Sequence, residues 1–125
     1  MSPHHATGMR GFAEHEKDIV EHLKDRFDPS TPDPVWIRKL GVEAGWIIIT
    51  ADPRISRNPI NKAAWHESGL TAFFLLPPFQ TSNFWVQSSE LVRWWPALSA
   101  QAKKTPTGYG FNLPMKGTRL QQIYP

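Results

Sequence analysis

The chain has 125 residues, which is the usual size of one domain with its own hydrophobic core. It contains no cysteine, so disulfides, thiolate metal sites and a cysteine nucleophile are excluded, and a reducing cytosol is compatible with this composition. No apolar run approaches the roughly 18 residues that a membrane span needs, and the N-terminus lacks a signal-peptide pattern. We therefore expect one domain over residues 1–125 in a cytoplasmic protein without a membrane segment.

The net charge of +3 is unevenly distributed. Residues 1–52 contain six Lys and Arg against nine Asp and Glu, while residues 53–125 contain eight against two. An acidic cluster beside a basic surface suits a protein that holds a divalent cation and a phosphate backbone together. A chance distribution of solvated charges would give the same asymmetry, so both interpretations stay open.

The first 32 residues predict a helix, a strand and a loop. Residues 2–17 have the pattern of a polar, loosely amphipathic helix, and residues 18–23 are a strand candidate. Residues 27–32 are rich in Pro, Ser and Asp, which is typical of a loop. This loop leads into the next predicted helix.

A second helix is predicted to begin at Asp33. Asp33 is a good N-cap, and Pro34 is suited to the first helical position. The helix should run to about Leu40, because Gly41 and Gly45 then break the helical pattern. A tight loop would follow.

An apolar, β-branched run from Trp46 to Thr50 predicts a strand of the kind that is covered on both faces. In open α/β sheets the ligand crevice lies outside the carboxyl ends of the strands. Thr50 and Asp52 would lie there. Asp52 is therefore the stronger candidate for chemistry from the residues alone.

The remaining elements alternate between helix and strand. Pro59 predicts the start of a helix that runs to about Ser68, and Gly69 predicts its end. Residues 71–76 form an apolar strand candidate that Pro77 ends. Short strands are predicted from Gly108 onward.

A further helix is predicted between the second apolar strand and the C-terminal strands. Ser82 or Ser88 could cap it, and Pro96 is expected to stop it. Strands that alternate with helices of this length indicate an α/β fold with a mostly parallel sheet and helices on both faces.

Several short motifs follow one another between residues 19 and 76, and none is specific alone. They are Ile19-Val20-x-His22-Leu23 with Lys24-Asp25, Thr31-Pro32-Asp33, Trp36-Ile37, Leu40-Gly41, Gly45-Trp46, Ile49-Thr50-x-Asp52, Arg54-Ile55-Ser56-Arg57 and Ala72-Phe73-Phe74-Leu75. In their order and spacing they resemble the PIN-like nuclease domains, in particular the branch associated with VapC-type toxins. The resemblance is weak beyond Leu76.

The resemblance implies a three-layer α/β/α fold and a metal-dependent endoribonuclease, the toxin component of a toxin–antitoxin pair. Clustered carboxylates would bind Mg²⁺ or Mn²⁺, and Asp33 and Asp52 fall on the family's acidic positions. Carboxylate oxygens suit such hard cations, which supply Lewis acidity and an ionised water. RNA and a cognate antitoxin are the implied partners, and a homodimer is a further expectation.

Basic and polar residues near Asp52 would complete the implied site. Arg54, Arg57 and Lys62 are the candidates for contact with RNA phosphates. Thr50 would orient a water through its hydroxyl, and Asn61 would support the site from outside. Alternatively, the three basic residues form a solvated helix face, and Thr50 is present only because threonine favours strands.

The resemblance has one gap, at the N-terminus. Proteins of this type begin with a strand that ends in Asp, often Asp-Asn or Asp-Glu, directly before a helix like Ser2-Pro3-His4-His5-Ala6, and Met1 stands where that strand should end. That strand would supply a carboxylate and lie in the middle of the sheet, so its absence leaves unpaired edges. Three explanations stay open: a start further upstream, a strand from a partner chain, or a degenerate domain that no longer cleaves.

A purely structural role is open for each acid. Asp33 could serve only as an N-cap, and Asp52 only as a turn residue before Pro53. Asp25 and Asp28 could extend the acidic cluster, but aspartates in loops are usually solvated.

Histidine and tryptophan offer weaker signals. The five histidines have no HExxH-like spacing, and no nucleophile-elbow or phosphate-loop motif is present. Five tryptophans are expected to build the core, namely Trp36, Trp46, Trp65, Trp94 and Trp95. The position of Trp85 is undecided.

The leading hypothesis is a PIN-like endoribonuclease, and the alternative is a non-catalytic PIN-like module that binds a protein partner or RNA.

Overall fold

The structure, a computed structural model, describes residues 21–43 and 45–125. The predicted helix over residues 2–17 and the first three residues of the predicted strand 18–23 lie outside the described residues. The rest of that strand prediction is wrong, because a 3₁₀ helix begins at Leu23 (Leu23–Asp25). The backbone bonds locally there, since Phe27 N donates to Leu23 O at 2.8 Å.

Helices and strands alternate through the rest of the described chain. In chain order they are α1 (Asp33–Glu43), β1 (Ile47–Thr50), α2 (Arg54–Arg57), α3 (Pro59–Ser68), β2 (Thr71–Leu75), α4 (Pro77–Thr81), α5 (Phe84–Lys104), β3 (Gly110–Leu113) and β4 (Gln121–Tyr124). None of these helices is long and apolar enough to cross a membrane.

The described strands form one sheet in the order β1-β2-β3-β4. β1 pairs in parallel with β2, placing Ile47 beside Thr71, and β2 pairs in parallel with β3, placing Ala72 beside Gly110. β4 is antiparallel to β3. The prediction of a mostly parallel sheet is confirmed, with β1 as an edge strand among the described residues.

Side chains of the central strand β2 alternate between two hydrophobic clusters. Phe73 and Leu75 pack on the face covered by α5. Ala72 and Phe74 pack on the opposite face, together with residues of α1 and α3. Period-two alternation in a strand buried on both faces therefore gives the three-layer α/β/α architecture that the sequence predicted.

β1 fits the prediction of a strand covered on both faces only in part. Ile48 is buried against α1 and α3, but Ile47 is 40% exposed. An edge strand has a neighbour on one side only, so part of its apolar surface stays accessible. β2, with all five residues buried, is the strand that fits the predicted pattern.

The predicted end of α1 is wrong, because the helix continues through Gly41 to Glu43. Tertiary packing explains why glycine is tolerated here despite its low helix propensity. A Cβ atom on Gly41 would lie 2.8 Å from Ser68 Cβ, so only glycine lets α1 approach the end of α3 this closely.

The predicted stop at Pro96 is also wrong, since α5 runs through Pro96 to Lys104. A proline in a helix interior costs about 3 kcal/mol. Burial of a large apolar side chain contributes about 1.5–3 kcal/mol, and Trp94, Trp95 and Leu98 are all buried around this proline. Asn83, rather than Ser82 or Ser88, caps the helix by accepting from Val86 N at 3.0 Å.

Other local predictions are confirmed. α3 runs from Pro59 to Ser68, and Gly69 ends it with a φ of 70°, in the left-handed region that favours glycine. Two short C-terminal strands follow Gly108 as expected. Four tryptophans are buried, namely Trp36, Trp65, Trp94 and Trp95. Trp46 packs against the core, and Trp85 is 78% exposed.

Candidate functional site

Asp52 lies at the carboxyl edge of the sheet, two residues beyond the end of β1. The first three strands are parallel, so their carboxyl ends meet at this edge. Thr50 Oγ1 accepts a hydrogen bond from Asp52 N at 3.0 Å. The last residue of β1 therefore fixes the backbone from which the Asp52 carboxylate projects.

Arg54 covers the Asp52 carboxylate. Its guanidinium donates to both oxygens, with Nη2 to Oδ2 at 2.8 Å and Nε to Oδ1 and Oδ2 at 3.1 Å. Arg54 N also donates to Oδ1 at 2.9 Å. These hydrogen bonds hold the pKa of Asp52 below its usual value, although partial burial opposes the shift. They raise the pKa of Arg54 in return.

Asp33 is the first residue of α1, and its carboxylate is held by two side chains. Trp36 Nε1 donates to Oδ1 at 2.9 Å, one helical turn further along. Asn61 Nδ2, from α3, donates to Oδ2 at 3.1 Å. Because Trp36 is buried, its indole has one orientation, and that orientation fixes the carboxylate.

Asn61 bridges Asp33 and the backbone of Arg54. Its amide nitrogen has two hydrogens, and besides Asp33 it also contacts Arg54 O at 3.5 Å. The negative charges of Asp52 and, to a smaller extent, Asp33 raise the pKa of Arg54. We refer to Asp33, Asp52, Arg54 and Asn61 as the polar cluster.

Helix capping sets the position of Asn61. Asn58 Oδ1 accepts from Ile60 N at 3.0 Å and from Asn61 N at 3.2 Å, as an N-cap does. Pro59 then occupies the first turn of α3. The sequence Asn58-Pro59 thus starts α3 at the position that directs Asn61 towards Asp33.

The two other predicted phosphate-binding residues flank the polar cluster in sequence. Arg57 ends α2, and Lys62 lies in the first turn and a half of α3. Both side chains are exposed. α2 also packs against α3, so Arg54, Arg57 and Lys62 belong to one helical unit next to the carboxyl edge.

The cluster fits a hard divalent cation by donor type. Within the described residues no group of three or more His, Asp or Glu side chains is arranged to hold a metal ion. Mg²⁺, however, is commonly bound by one or two carboxylates plus waters. Each oxygen of Asp33 accepts one side-chain hydrogen bond and keeps a second lone pair. Both oxygens of Asp52 accept hydrogen bonds from Arg54.

Asp28 and Asp25, the other two acids considered from the sequence, lie in the turn and the 3₁₀ helix before α1. Asp28 Oδ1 accepts from Ser30 N at 2.9 Å and from Ser30 Oγ at 2.6 Å. These bonds lower the pKa of Asp28 and are those of a turn. Asp25 is exposed in the 3₁₀ helix. Among the histidines, His66 stacks on Tyr124 with ring centroids 3.6 Å apart, which is a packing role.

Sequence reasoning missed two contacts of the site. The Arg54–Asp52 pair has the spacing i, i+2 directly after a strand, and the Trp36–Asp33 bond has the helical spacing i, i+3. Both spacings were visible, but Arg54 was assigned to phosphate and Trp36 to the core. A cavity of about 200 Å³ is lined by β1, by α1 residues such as Trp36 and by residues near the 3₁₀ helix. Neither Asp33 nor Asp52 lines this cavity, so it is not this site.

The family comparison covers all residues of the candidate site. Residues 1–76 match the model of the family described as a PIN like domain, which is more than half of the chain. No curated protein and no solved structure matches the chain. The matched region contains both acids, the basic segment after β1 and the strands β1 and β2. The chain therefore belongs to the PIN-like domain family.

Proposed function

We propose that the protein is a metal-dependent endoribonuclease in which Asp33 and Asp52 hold Mg²⁺ or Mn²⁺. One observation carries the proposal: the Asp33 carboxylate at the start of α1 and the Asp52 carboxylate just beyond β1 are linked through hydrogen bonds of Asn61 and Arg54 at the carboxyl edge of the sheet. Family membership supports the same location, because the match includes both acids.

Each residue of the site has a defined part in this proposal. Trp36 and Asn61 orient Asp33, and Thr50 holds the backbone of Asp52. Arg57 and Lys62 attract the phosphate backbone electrostatically. The cation, when bound, supplies Lewis acidity and lowers the pKa of a water.

The toxin role is a finer part of the proposal. It rests on the resemblance of the motifs between residues 19 and 76 to the VapC-type branch. A cognate antitoxin is then the expected protein partner, and RNA the expected substrate. Expression of this chain should then arrest growth, and co-expression of the antitoxin should relieve the arrest.

Cleavage of an end-labelled RNA of mixed sequence tests the nuclease proposal. The chain is assayed with Mn²⁺ or Mg²⁺, with chelator, and beside Asp52→Asn and Asp28→Asn prepared identically. We expect metal-dependent cleavage that Asp52→Asn loses and Asp28→Asn keeps, because Asp28 only stabilises a turn. Equal cleavage by Asp52→Asn would contradict the proposal.

A non-catalytic RNA-binding module is the second candidate, and a specific contact favours it. Both oxygens of Asp52 are engaged by Arg54, so the charge of this acid is already neutralised inside the chain. This candidate predicts RNA binding that is indifferent to chelator and no cleavage by a folded chain. Filter binding with and without chelator, run beside the cleavage assay, separates the two.

A further inference from the structure

We propose that Arg54 couples cation binding to phosphate binding at this site. Its guanidinium covers Asp52 in the free protein, and it transfers to an RNA phosphate when a divalent cation takes its place. The inference rests on the proposed function, because it assigns a regulatory contact to the same two acids.

The geometry of the ion pair makes the cation and the guanidinium competitors. Nε and Nη2 of Arg54 lie between 2.8 and 3.1 Å from the Asp52 oxygens, and with the bond from Arg54 N each oxygen accepts two hydrogen bonds. A cation bound to either oxygen would lie against a like charge at short distance. Occupation of Asp52 by metal therefore requires the guanidinium to leave.

Departure of the guanidinium leaves the acid in place. The backbone of residue 54 still donates to Asp52 Oδ1 at 2.9 Å, and Thr50 Oγ1 still holds Asp52 N. The Arg54 side chain is 75% exposed, so it can move through solvent without disturbing the core. The ion pair therefore opens as a side-chain movement on a fixed backbone.

The released guanidinium has a suitable acceptor in a phosphate. Its planar set of donors matches phosphate oxygens in bidentate geometry. Arg57 and Lys62, on α2 and α3, bring further positive charge to the same helical unit.

A coupling between the two ligands follows. Without RNA, the cation binds only the fraction of molecules in which Asp52 is free, so its apparent affinity is lowered by that fraction. For an exposed ion pair this factor is about twofold to sixfold. A phosphate that holds Arg54 removes this penalty, and by reciprocity the cation strengthens phosphate binding by the same factor.

Titration of Mn²⁺, with free Mn²⁺ followed by electron paramagnetic resonance, tests the proposal on the full chain. The RNA probe is a short 2′-O-methyl oligonucleotide whose integrity is checked by mass spectrometry. Arg54→Met should bind Mn²⁺ about twofold to sixfold more tightly than the wild type without the probe. The probe should raise Mn²⁺ affinity of the wild type clearly more than that of Arg54→Met.

Two variants separate the coupling from other effects. Arg57→Met removes the same charge one helical turn further along and should change Mn²⁺ affinity by less than about twofold if contact, rather than distant repulsion, is the cause. Asp52→Asn should lose most of the Mn²⁺ binding, which tests the proposed function itself.

The outcomes distinguish failure of the coupling from failure of the site. If Asp52→Asn binds Mn²⁺ like the wild type, the site and the coupling are both wrong. If Asp52→Asn loses binding while Arg54→Met keeps wild-type affinity and wild-type response to the probe, only the coupling is overturned. An equal gain in Arg57→Met and Arg54→Met also overturns it, because the effect would then be one of net charge.

Discussion

Replacing Asn61 by aspartate should convert the polar cluster into a site whose stability depends on metal. Asn61 Nδ2 donates to Asp33 Oδ2 at 3.1 Å. A hydrogen bond to a charged group contributes about 1.5–3 kcal/mol, and Asn61→Asp removes it while keeping the shape of the side chain. The variant also places a third carboxylate beside Asp33.

The magnitude follows from that distance. Two unit charges 3.1 Å apart repel by about 5 kcal/mol at an effective dielectric constant of 20, which is an upper bound before relaxation. Sharing of a proton reduces this repulsion by raising a carboxyl pKa. We expect the free energy of unfolding to fall by about 2–4 kcal/mol near pH 8. The loss should shrink towards about pH 5, because a raised folded-state pKa stabilises the fold as it takes up a proton.

Urea unfolding with and without Mn²⁺ is the assay. At a Mn²⁺ concentration about 100 times its dissociation constant, binding to the folded state adds about 2.7 kcal/mol and should recover most of the loss. Asn58→Asp is the matched control, because its side chain already accepts the N-cap bonds of α3 and a carboxylate can do the same. It should change stability by no more than about 0.5 kcal/mol and show no recovery.

If Asn61→Asp were as stable as the wild type near pH 8 and indifferent to Mn²⁺, Asn61 would not face Asp33 as the structure has it. A cation site between the two acids would then lose its geometric basis.

Three further predictions concern the ion pair, the packing of α3 and the basic residues. Hydrogen bonds from Arg54 are the chief cause of the lowered pKa of Asp52. The pair therefore stabilises the fold above the unfolded-state pKa of about 3.9. This contribution is lost as the pH falls through the lower folded-state pKa of Asp52. The urea midpoint of Arg54→Met should therefore lie slightly below that of the wild type near pH 7, and the two midpoints should coincide in stronger acid. A Cβ atom on Gly110 would lie 2.5 Å from Trp65 Cη2, so Gly110→Ala should lower the free energy of unfolding by about 1–3 kcal/mol. The double variant Gly110→Ala with Trp65→Phe should lose less than the sum of the two single variants. Lys62→Met should weaken RNA binding evenly across sequences and reduce the slope of log affinity against log salt by about one, measured by fluorescence anisotropy.

Local signals in the sequence were sufficient where the backbone itself decides the structure. Pro59 and Gly69 mark both ends of α3, because proline is pre-organised for the first turn and Gly69 adopts a positive φ. The apolar runs that became β1 and β2 were similarly clear. The fold class could therefore be predicted from the order of its elements.

The failures lie where tertiary contacts override local preference. Gly41 continues a helix because α3 packs too closely for a side chain, and Pro96 stays within a helix whose buried face extends past it. Neither partner surface is readable from the local pattern. The part of the strand prediction at residues 21–23 failed because the chain there forms local 3₁₀ bonds instead.

At the candidate site the sequence indicated which residue types matter but not how they pair. The sequence predicts Asp33 as an N-cap, yet in the structure its carboxylate accepts hydrogen bonds from the side chains of Trp36 and Asn61. The sequence predicts Arg54 as a contact for phosphate or as part of a solvated helix face, and in the structure it pairs with Asp52. Residue type alone suggests a cation for Asp52 and a phosphate for Arg54. It does not reveal that the two side chains pair with each other.

The most direct test of a cation between Asp33 and Asp52 is paramagnetic broadening of tryptophan indole resonances by Mn²⁺ in a ¹⁵N-labelled chain. The Trp36 indole donates to Asp33 at 2.9 Å, the Trp46 indole to Glu43 at 3.0 Å, and the Trp94 indole lies in the opposite hydrophobic cluster. With a cation at this position, the Trp36 signal should broaden first, and Asp33→Asn should prevent this. Broadening of Trp46 before Trp36, or of Trp36 to the same extent in Asp33→Asn, would contradict a cation between Asp33 and Asp52.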